Sequence, residues 1–452
     1  MKIKKQAQQK LVQNVRWQAL QLLDKVDNQG EYSNVLIDRF LKQSQLEERD
    51  NQLLVQLVYG TIQRRLTLDY YLQSAIHGKK MDAWVRSLLR MSVYQLVYLE
   101  RIPAHAVLNE AVKIAKLNGH QALGNFVNAI LRKVMREELP SSEQCETVAE
   151  RLAVQYSVQP WIVADLLRQF SKEEVARILA SLLEKPILSA RISTSPEGRE
   201  RIVAELQAEG FEVEASALSP YGIRCLKGNL IHSNAFKAGL LTIQDESSML
   251  VAPLGQLTGN ECVLDACSAP GGKATHIAQL LQDGHLTALD ISSAKLAKVR
   301  AHLERLGLTE KVTLKVADAS QFEPHTSQLY DMIYLDAPCS GLGLMRRKPE
   351  IKYEKQPEDV QALAEIQLTL LRHVATLLKK GGTLVYSTCT LTLEENEQVL
   401  ATFMKERNDF VVKKVTAEEG IPANCLTEEG YVRVLPHNYH TDGFFIGRLT
   451  KL

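Results

Sequence analysis

Three short stretches of this 452-residue chain combine residue types that can do chemistry at a spacing that brings them together. Val263–Lys273 reads VLDACSAPGGK: an apolar strand, an acid at its end, a loop of small residues, and the start of a helix. Such a loop leaves backbone N–H groups free and lets a ligand approach the main chain closely, at the carboxyl end of a strand where open α/β sheets bind ligands. It suits a nucleotide-type cofactor. Tyr334–Gly341, YLDAPCSG, follows an apolar run from Met332, and Tyr386–Leu391, YSTCTL, follows Thr383-Leu384-Val385. Each sets a cysteine, Cys339 or Cys389, just past a strand end. A thiolate there can bond to a substrate, and a second thiol can assist its release. Structural packing is the usual fate of a single cysteine, and Cys225 and Cys262 keep that assignment.

These stretches need a sheet to carry them. From Glu261 the pattern alternates: strand 262–265, a helix from 273, strand 286–290, helix 295–306, strands 312–316 and 332–335, helix 358–378, strand 383–387 and helix 394–406. Alternation of this kind specifies a doubly wound, mainly parallel, Rossmann-like α/β sheet. The glycine loop matches neither GxGxxG nor GxxxxGK[ST], so no motif points to a dinucleotide or a triphosphate. Asp290 ends the second strand, placed for ribose hydroxyls, and Asp318, in VADAS, follows the third, within reach of an adenine amino group. A glycine loop, a ribose acid and a base acid in this order form the pattern of class I S-adenosylmethionine-dependent methyltransferases. The cysteines narrow the chemistry. Carbon 5 of a pyrimidine is too poor a nucleophile to take a methyl group unaided, and a thiolate adding to carbon 6 makes it enamine-like. A base must then remove the carbon 5 proton before the thiol can leave. Two thiols suit those two tasks, and the spacing does not say which does which.

The length implies about three domains. Domain boundaries are expected near 140 and 235, giving 1–140, 141–235 and 236–452. Up to about Glu138 apolar residues recur at helical spacing, as in Leu11, Val15, Ala19, Leu22 and Leu23, so the first domain is an all-α bundle. Residues 1–138 carry 21 Lys and Arg against 13 Asp and Glu, while the whole chain nets only +1, so the basic end is a candidate polyanion-binding surface. Arg64, Arg65, Lys79 and Lys80 are its candidate phosphate partners. Leu139-Pro140-Ser141-Ser142 reads as a linker. Helical patterns follow at 147–156, at 159–170 and on to about 184. Short strands around one helix then run from 188 to 230 and imply a small α/β subdomain, either an RNA platform or an adaptor. Phe236–Ala252 reads as a strand leading into a helix over 246–252. Seven widely spaced cysteines without a CxxC pair argue against a disulfide framework and against structural zinc, and no stretch approaches a membrane span. A cytoplasmic protein, monomeric and without metal, is the expectation.

The motifs DACSAPGGK, LDAPCSG, RRKPEIKY and YSTCT are similar, in order and spacing, to those of the Sun/Fmu-type RNA (cytosine-5) methyltransferases. Ile102-Pro103, Asn109-Glu110-Ala111-Val112, Phe126-Val127-Asn128 and Leu131-Arg132 resemble the helical RNA-binding domain typified by NusB. Together these resemblances cover nearly the whole chain. They imply methylation of a cytosine in small-subunit ribosomal RNA with S-adenosylmethionine as cofactor.

The resemblance also implies roles. Cys389 adds to carbon 6 and Cys339 assists release. Cys267, Ser268, Ala269, Pro270, Gly271, Gly272 and Lys273 wrap the cofactor's methionine end; Asp290 takes the ribose and Asp318 the adenine. Asp336 lies between cofactor and base, and Lys273 contacts the base or Asp336. Arg346-Arg347-Lys348 hold RNA phosphates near a flipped base, and Asp442–Phe445 is a closing strand. The chain departs from the family pattern at Ser268, Ala274, Tyr353 in place of Trp, and Ser193, where Arg191-Ile192-Ser193 replaces Arg-Val-Asn. A transfer RNA substrate and a non-catalytic RNA-binding assembly factor are the alternatives. Retention of Asp336 and both cysteines argues against the second.

Overall fold

The computed structural model describes residue 11 and residues 13–324 and 329–452; the part of the expected helical region over 4–10 lies outside them. The chain divides into two units, Met1–Leu183 with Arg347–Glu354, and the remainder.

The first unit is all helix. Helices at Val15–Gln29, Ser33–Leu41, Glu48–Gln63, Arg65–Ile76, Ala83–Tyr98, Ala104–Asn118 and Gln121–Arg136 form the bundle. Their three-and-four-spaced apolar faces meet in one core through Leu20, Leu23, Leu54, Leu57, Leu88 and Leu131. Asn14 accepts the Trp17 N–H and caps the first of these helices. Three further helices, Val148–Tyr156, Pro160–Gln169 and Lys172–Ser181, belong to this unit too.

The peptide Arg347–Glu354, which sequence places after the Pro-Cys loop, packs into the helical unit, with Arg347 and Lys348 half-buried. Glu350 accepts hydrogen bonds from Ser33 N (2.9 Å) and Ser33 Oγ (3.0 Å). The fully buried Lys352 donates to Gln63 O at 3.1 Å, and burial drops its pKa to about 7. Lys348 lies 4.9 Å from the centre of the Tyr32 ring. The Tyr353 hydroxyl is 2.9 Å from Ser157 Oγ, 3.0 Å from Ser157 O and 3.2 Å from Gln63 O, so its single O–H is shared between two carbonyls while its oxygen can accept from Ser157.

The second unit holds two sheets. The small one is antiparallel, order β2-β3-β1-β4, built from β1 (Leu188–Ile192), β2 (Glu212–Ala215), β3 (Gly222–Lys227) and β4 (Leu241–Ile243). The helix Arg199–Ala208 covers it through Ile202 and Leu206. Residues 241–243, which sequence groups with the catalytic domain, pair with β1, Ala190 opposite Ile243. The helix expected over 246–252 is a pair of 3-10 turns, Ser247–Leu250 and Pro253–Gly255. Pro253 has no N–H with which to continue an α-helix.

The large sheet has order β10-β12-β9-β8-β5-β6-β7, with β11 paired to β12. Its parallel strands are β5 (Cys262–Asp265), β6 (His285–Asp290), β7 (Val312–Val316), β8 (Tyr330–Asp336) and β9 (Leu378–Thr388). Antiparallel β12 (Phe444–Lys451) pairs with β9 and carries β10 (Phe410–Val412) and β11 (Val432–Val434) on its outer edge. Near-continuous apolar runs such as Val263-Leu264 and Ile333-Tyr334-Leu335 are buried, as a sheet covered on both faces requires. Among the described residues, no helix is long and apolar enough to cross a membrane.

Replacing Tyr353 with Phe should lower the unfolding free energy of the helical unit by about 1–3 kcal/mol, since buried hydrogen-bonding groups lose their partner. Urea unfolding monitored by circular dichroism reads this directly. An unchanged midpoint would mean the hydroxyl network contributes nothing.

Candidate active site

Parallel pairing lines up the carboxyl ends of five strands. Asp265 faces Tyr334 and Ala288 across its neighbours, Asp290 faces Val316, and Asp336 faces Ser387. The loops leaving β5, β8 and β9 therefore emerge along one edge.

After β5 the chain turns through Ala266–Gly271 into the helix Gly272–Leu280. Ser268 anchors the loop, donating from N (2.8 Å) and Oγ (2.9 Å) to Leu289 O at the end of β6. Gly271 has φ +111°, and a Cβ there would meet Val299 Cα at 3.1 Å, so both backbone and space call for glycine. Cys267 is enclosed: burial first, then the carboxylates of Asp265, Asp336, Asp290 and Asp318, push its thiol far up, which makes it an inert lining residue. Ala269 and Pro270 form the rim of the loop.

Lys273 reaches back across the edge to Asp336, Nζ to Oδ2 2.7 Å, while Ser387 Oγ donates to Asp336 Oδ1 at 2.8 Å. Burial pulls the Lys273 ammonium down and Asp336 more than offsets it, so the amine is held charged. Its Nζ also sits 5.0 Å from the centre of the Phe444 ring, at the start of the closing strand. The Asp336 side chain keeps 26% of its surface open, enough to meet a substrate.

Asp290 accepts from Ser292 N at 2.8 Å, and Asp318 from Ser320 N at 2.8 Å and Ser320 Oγ at 2.7 Å. The Ser320 bonds hold the Asp318 carboxyl below its usual range. In each aspartate these turn bonds use Oδ1 alone.

The two thiols meet. Cys339 Sγ and Cys389 Sγ are 3.2 Å apart, brought together because β8 and β9 are parallel neighbours. The hydrogen bond to Cys389 is the first cause that raises the Cys339 thiol well above its ordinary value, followed by burial and the charges of Cys389, Glu395 and Asp336. Gly343 donates to Cys389 O at 2.9 Å and accepts from Gly443 N at 2.9 Å; a Cβ on Gly343 would lie 2.0 Å from Gly443 O. That close approach is why the Asp442-Gly443 turn lies against the thiol loops.

Several further residues sit here, among them Asp265, the acid that sequence places at the end of β5, to which motif reading gave no role of its own. Asp265 is 1% exposed, and neither carboxylate oxygen has a hydrogen-bond partner. Burial, then the nearby Asp336, raise its pKa to about 7. Buried Arg191, on β1, donates to Gly272 O (2.7 Å), Thr275 Oγ1 (3.0 Å) and Gln244 Oε1, and so ties the small sheet to the glycine-loop helix. The family-like Arg-x-x triplet was the signal, read for its third residue and not its first. Glu395, Asn396 and Gln367 are buried behind the cysteine loops.

Expected phosphate partners fare unevenly. Arg346 is buried and donates to Pro436 O at 2.8 Å, which removes it from solvent and from RNA. Arg65 pairs with Asp27 at 3.2 Å, and Arg64 stacks 4.8 Å from the Tyr98 ring centre. Lys79 and Lys80 are exposed on a cleft of about 670 Å³ that Arg86 and His77 also line.

Comparison with known proteins agrees with this geometry. Residues 253–450 match the family described as 16S rRNA methyltransferase RsmB/F, residues 13–136 the NusB family, and residues 159–231 a ferredoxin-like domain of RsmF/B-like methyltransferases. A probable ribosomal RNA small subunit methyltransferase B of Bacillus subtilis (strain 168) is 41% identical over 97% of this chain and 99% of its own. The chain belongs to the RsmB/F family. A ribosomal RNA small subunit methyltransferase B of Proteus mirabilis is 31% identical over 97% of this chain and 99% of its own. Among solved structures, a methyltransferase homolog protein from Pyrococcus horikoshii superposes with TM-score 0.58 at 28% identity, covering 68% of this chain and 100% of its own. NSun6 from the same organism, solved with SFG, superposes with TM-score 0.55 at 25% identity, over 64% of this chain and 97% of its own. The crystal structure of PH0851 shares the fold across 96% of this RsmB/F chain and 97% of its own, with TM-score 0.80 at 24% identity.

The raised Asp265 carboxyl carries a pH signature. Below pH about 4 it is protonated in both folded and unfolded chains; between there and about 7 only the unfolded chain ionises, so stability falls as pH rises through that window. Asp265→Asn should therefore match wild type near pH 4 and exceed it at pH 8, by at most about 4 kcal/mol. Denaturant unfolding at both pH values checks it; parallel pH profiles would contradict it.

Proposed function

We propose that this chain methylates carbon 5 of a cytosine in 16S ribosomal RNA, with S-adenosylmethionine as methyl donor and Cys389 as the attacking nucleophile. The observation that carries the reading is the pair of thiols 3.2 Å apart beside the Lys273–Asp336 pair. A binding module has no use for that arrangement.

The site fits the cofactor. The orphaned Asp265 carboxylate is suited to an ammonium group, Gly271 marks a cradle in which a side chain would not fit, and the Oδ2 oxygens of Asp290 and Asp318 suit ribose hydroxyls and an adenine amino group. Cys267–Lys273 would wrap the methionine end. When bound, S-adenosylmethionine supplies an electrophilic methyl group.

The protein's own residues do the rest. Two thiols in contact do not both ionise, so only one of the pair acts as the attacking thiolate. The contact with Cys389 and burial raise the Cys339 thiol well above its ordinary value, so Cys339 is the member that keeps its proton and Cys389 is the one assigned to attack. That thiolate forms the bond to carbon 6, and its electron pair becomes the enamine that lets carbon 5 take the methyl group. Asp336, fixed by Lys273 and Ser387, accepts a hydrogen bond from the cytosine edge. Once Cys389 is a neutral thioether, Cys339 loses the contact that is the first cause of its raised value, and it releases its own proton to solvent water. It then takes the carbon 5 proton as the Cys389–carbon 6 bond breaks and Cys389 leaves as thiolate. Lys79 and Lys80 are the phosphate contacts this reading keeps. Because the substrate is ribosomal RNA, we place the reaction in the cytoplasm, carried out by a monomer without a metal.

Cys389→Ala should form no covalent complex with undermodified 16S rRNA. Cys339→Ala should transfer one methyl group, remain attached to the RNA, and lose turnover by about 10²-fold or more, the worth of a proton-transfer catalyst. A denaturing gel with methyl-labelled cofactor reads both. A Cys389-dependent shifted band supports the assignment; a band from Cys389→Ala would reverse it.

A further inference from the structure

The mechanism leaves unexplained a buried carboxylate that, among the described residues, is held by hydroxyl and amide donors. Glu395 is 0% exposed. It accepts hydrogen bonds from Ser340 N (2.7 Å), Ser340 Oγ (2.5 Å), Gln367 Nε2 (3.0 Å), Thr392 Oγ1 (2.9 Å) and Thr390 Oγ1 (3.3 Å). Ser340 directly follows Cys339, and Thr390 directly follows Cys389. Gln367 Nε2 also donates to Pro338 O at 2.9 Å, just before Cys339. The Tyr386 hydroxyl closes the network on Gln367 Oε1 and Glu395 O. The adjacent Asn396 brackets Cys389, donating to Thr390 O at 3.2 Å and accepting from the Thr388 hydroxyl.

Burying an unpaired carboxylate is costly, and here five donors from the two cysteine loops and the helix Pro357–Thr376 offset that cost. All of them converge on one charge. We propose that Glu395 is the positioning residue that locks the Pro-Cys and Thr-Cys loops together and so sets the contact between Cys339 and Cys389. The proposal rests on the two-thiol reading above for its catalytic consequence. Its geometric claim stands apart from the identity of the RNA.

A carboxylate accepts from every side, whereas an amide of the same shape turns an NH₂ toward donors that need an acceptor. In Glu395→Gln the two loops therefore separate while the glycine loop, on another strand, is untouched. Misplacement of reacting groups by about 1 Å is worth on the order of 10²-fold in rate. The expected result is a fall in kcat of at least tenfold, with KM for RNA and the affinity for S-adenosylmethionine within about threefold of wild type.

A second readout needs no substrate. Diamide, an azodicarboxamide oxidant, takes two electrons and two protons from a thiol pair in contact, and the resulting Cys339–Cys389 disulfide is quantified by peptide mass spectrometry. The Gln variant should form it at least tenfold more slowly than wild type. Should Glu395→Gln fail to fold, Ser340→Ala and Thr392→Val each remove one donor and keep the charge; each should lower kcat and the cross-linking rate together, at unchanged KM. Wild-type cross-linking rates in a folded Glu395→Gln, or in both donor variants, overturn the proposal. So does loss of cofactor affinity in step with kcat. An inactive wild type whose cross-link still depends on Glu395 would count against the choice of RNA substrate and not against the clamp.

Discussion

The parallel pairing of β8 with β9 is the constraint on which the rest depends. Because Asp336 stands opposite Ser387, the two chains leave the sheet in step, and three residues past Asp336 and two past Ser387 each carries its cysteine. A register slip of one residue would turn alternate side chains to the other face and separate the thiols. The same pairing lets Ser387 donate to Asp336, which in turn holds Lys273. The thiol contact, the Ser387–Asp336 bond and the Lys273–Asp336 pair are thus consequences of one register.

Electrostatics then divides labour among like groups. Five carboxylates sit at or near this edge, and their environments differ. Asp336 is paired with a lysine, Asp318 is held low by its own turn, Asp265 is buried without a partner and raised, and Glu395 is satisfied by hydroxyls and amides. The two thiols are likewise unequal: the same contact that brings them together, with burial, raises the Cys339 thiol well above its ordinary value. Residue type alone could not distinguish these roles, because burial and partners set them.

Much of this was legible in the chain. The alternation of strands and helices from Glu261 fixes the doubly wound sheet, and the small-residue loop and the two post-strand cysteines mark its working edge before any coordinates. The antiparallel edge was less legible. β10 and β11 are three residues each, too short for a periodic signal, and β12 runs over Phe444–Lys451 where the sequence reading places the closing strand at Asp442–Phe445. Arg346-Arg347-Lys348 reads as a phosphate clamp because three cations in a row favour solvent, yet Arg346 is buried and the peptide after it packs with helices distant in sequence. Glu395 hides in the acidic run Glu394-Glu395-Asn396-Glu397, which has the composition of a solvated helix start. Only its five converging donors distinguish it, and they come from segments far apart in the chain.

The central claim is that Cys389 is the residue that bonds to the base. RNA carrying 5-fluorocytidine tests it directly, because carbon 5 then has no proton to release and the covalent complex cannot resolve. Digestion of the wild-type complex and tandem mass spectrometry should find the methylated nucleotide on the peptide containing Cys389. A nucleotide attached to Cys339, or an unmodified Cys389 in protein that has methylated its RNA, would contradict the account.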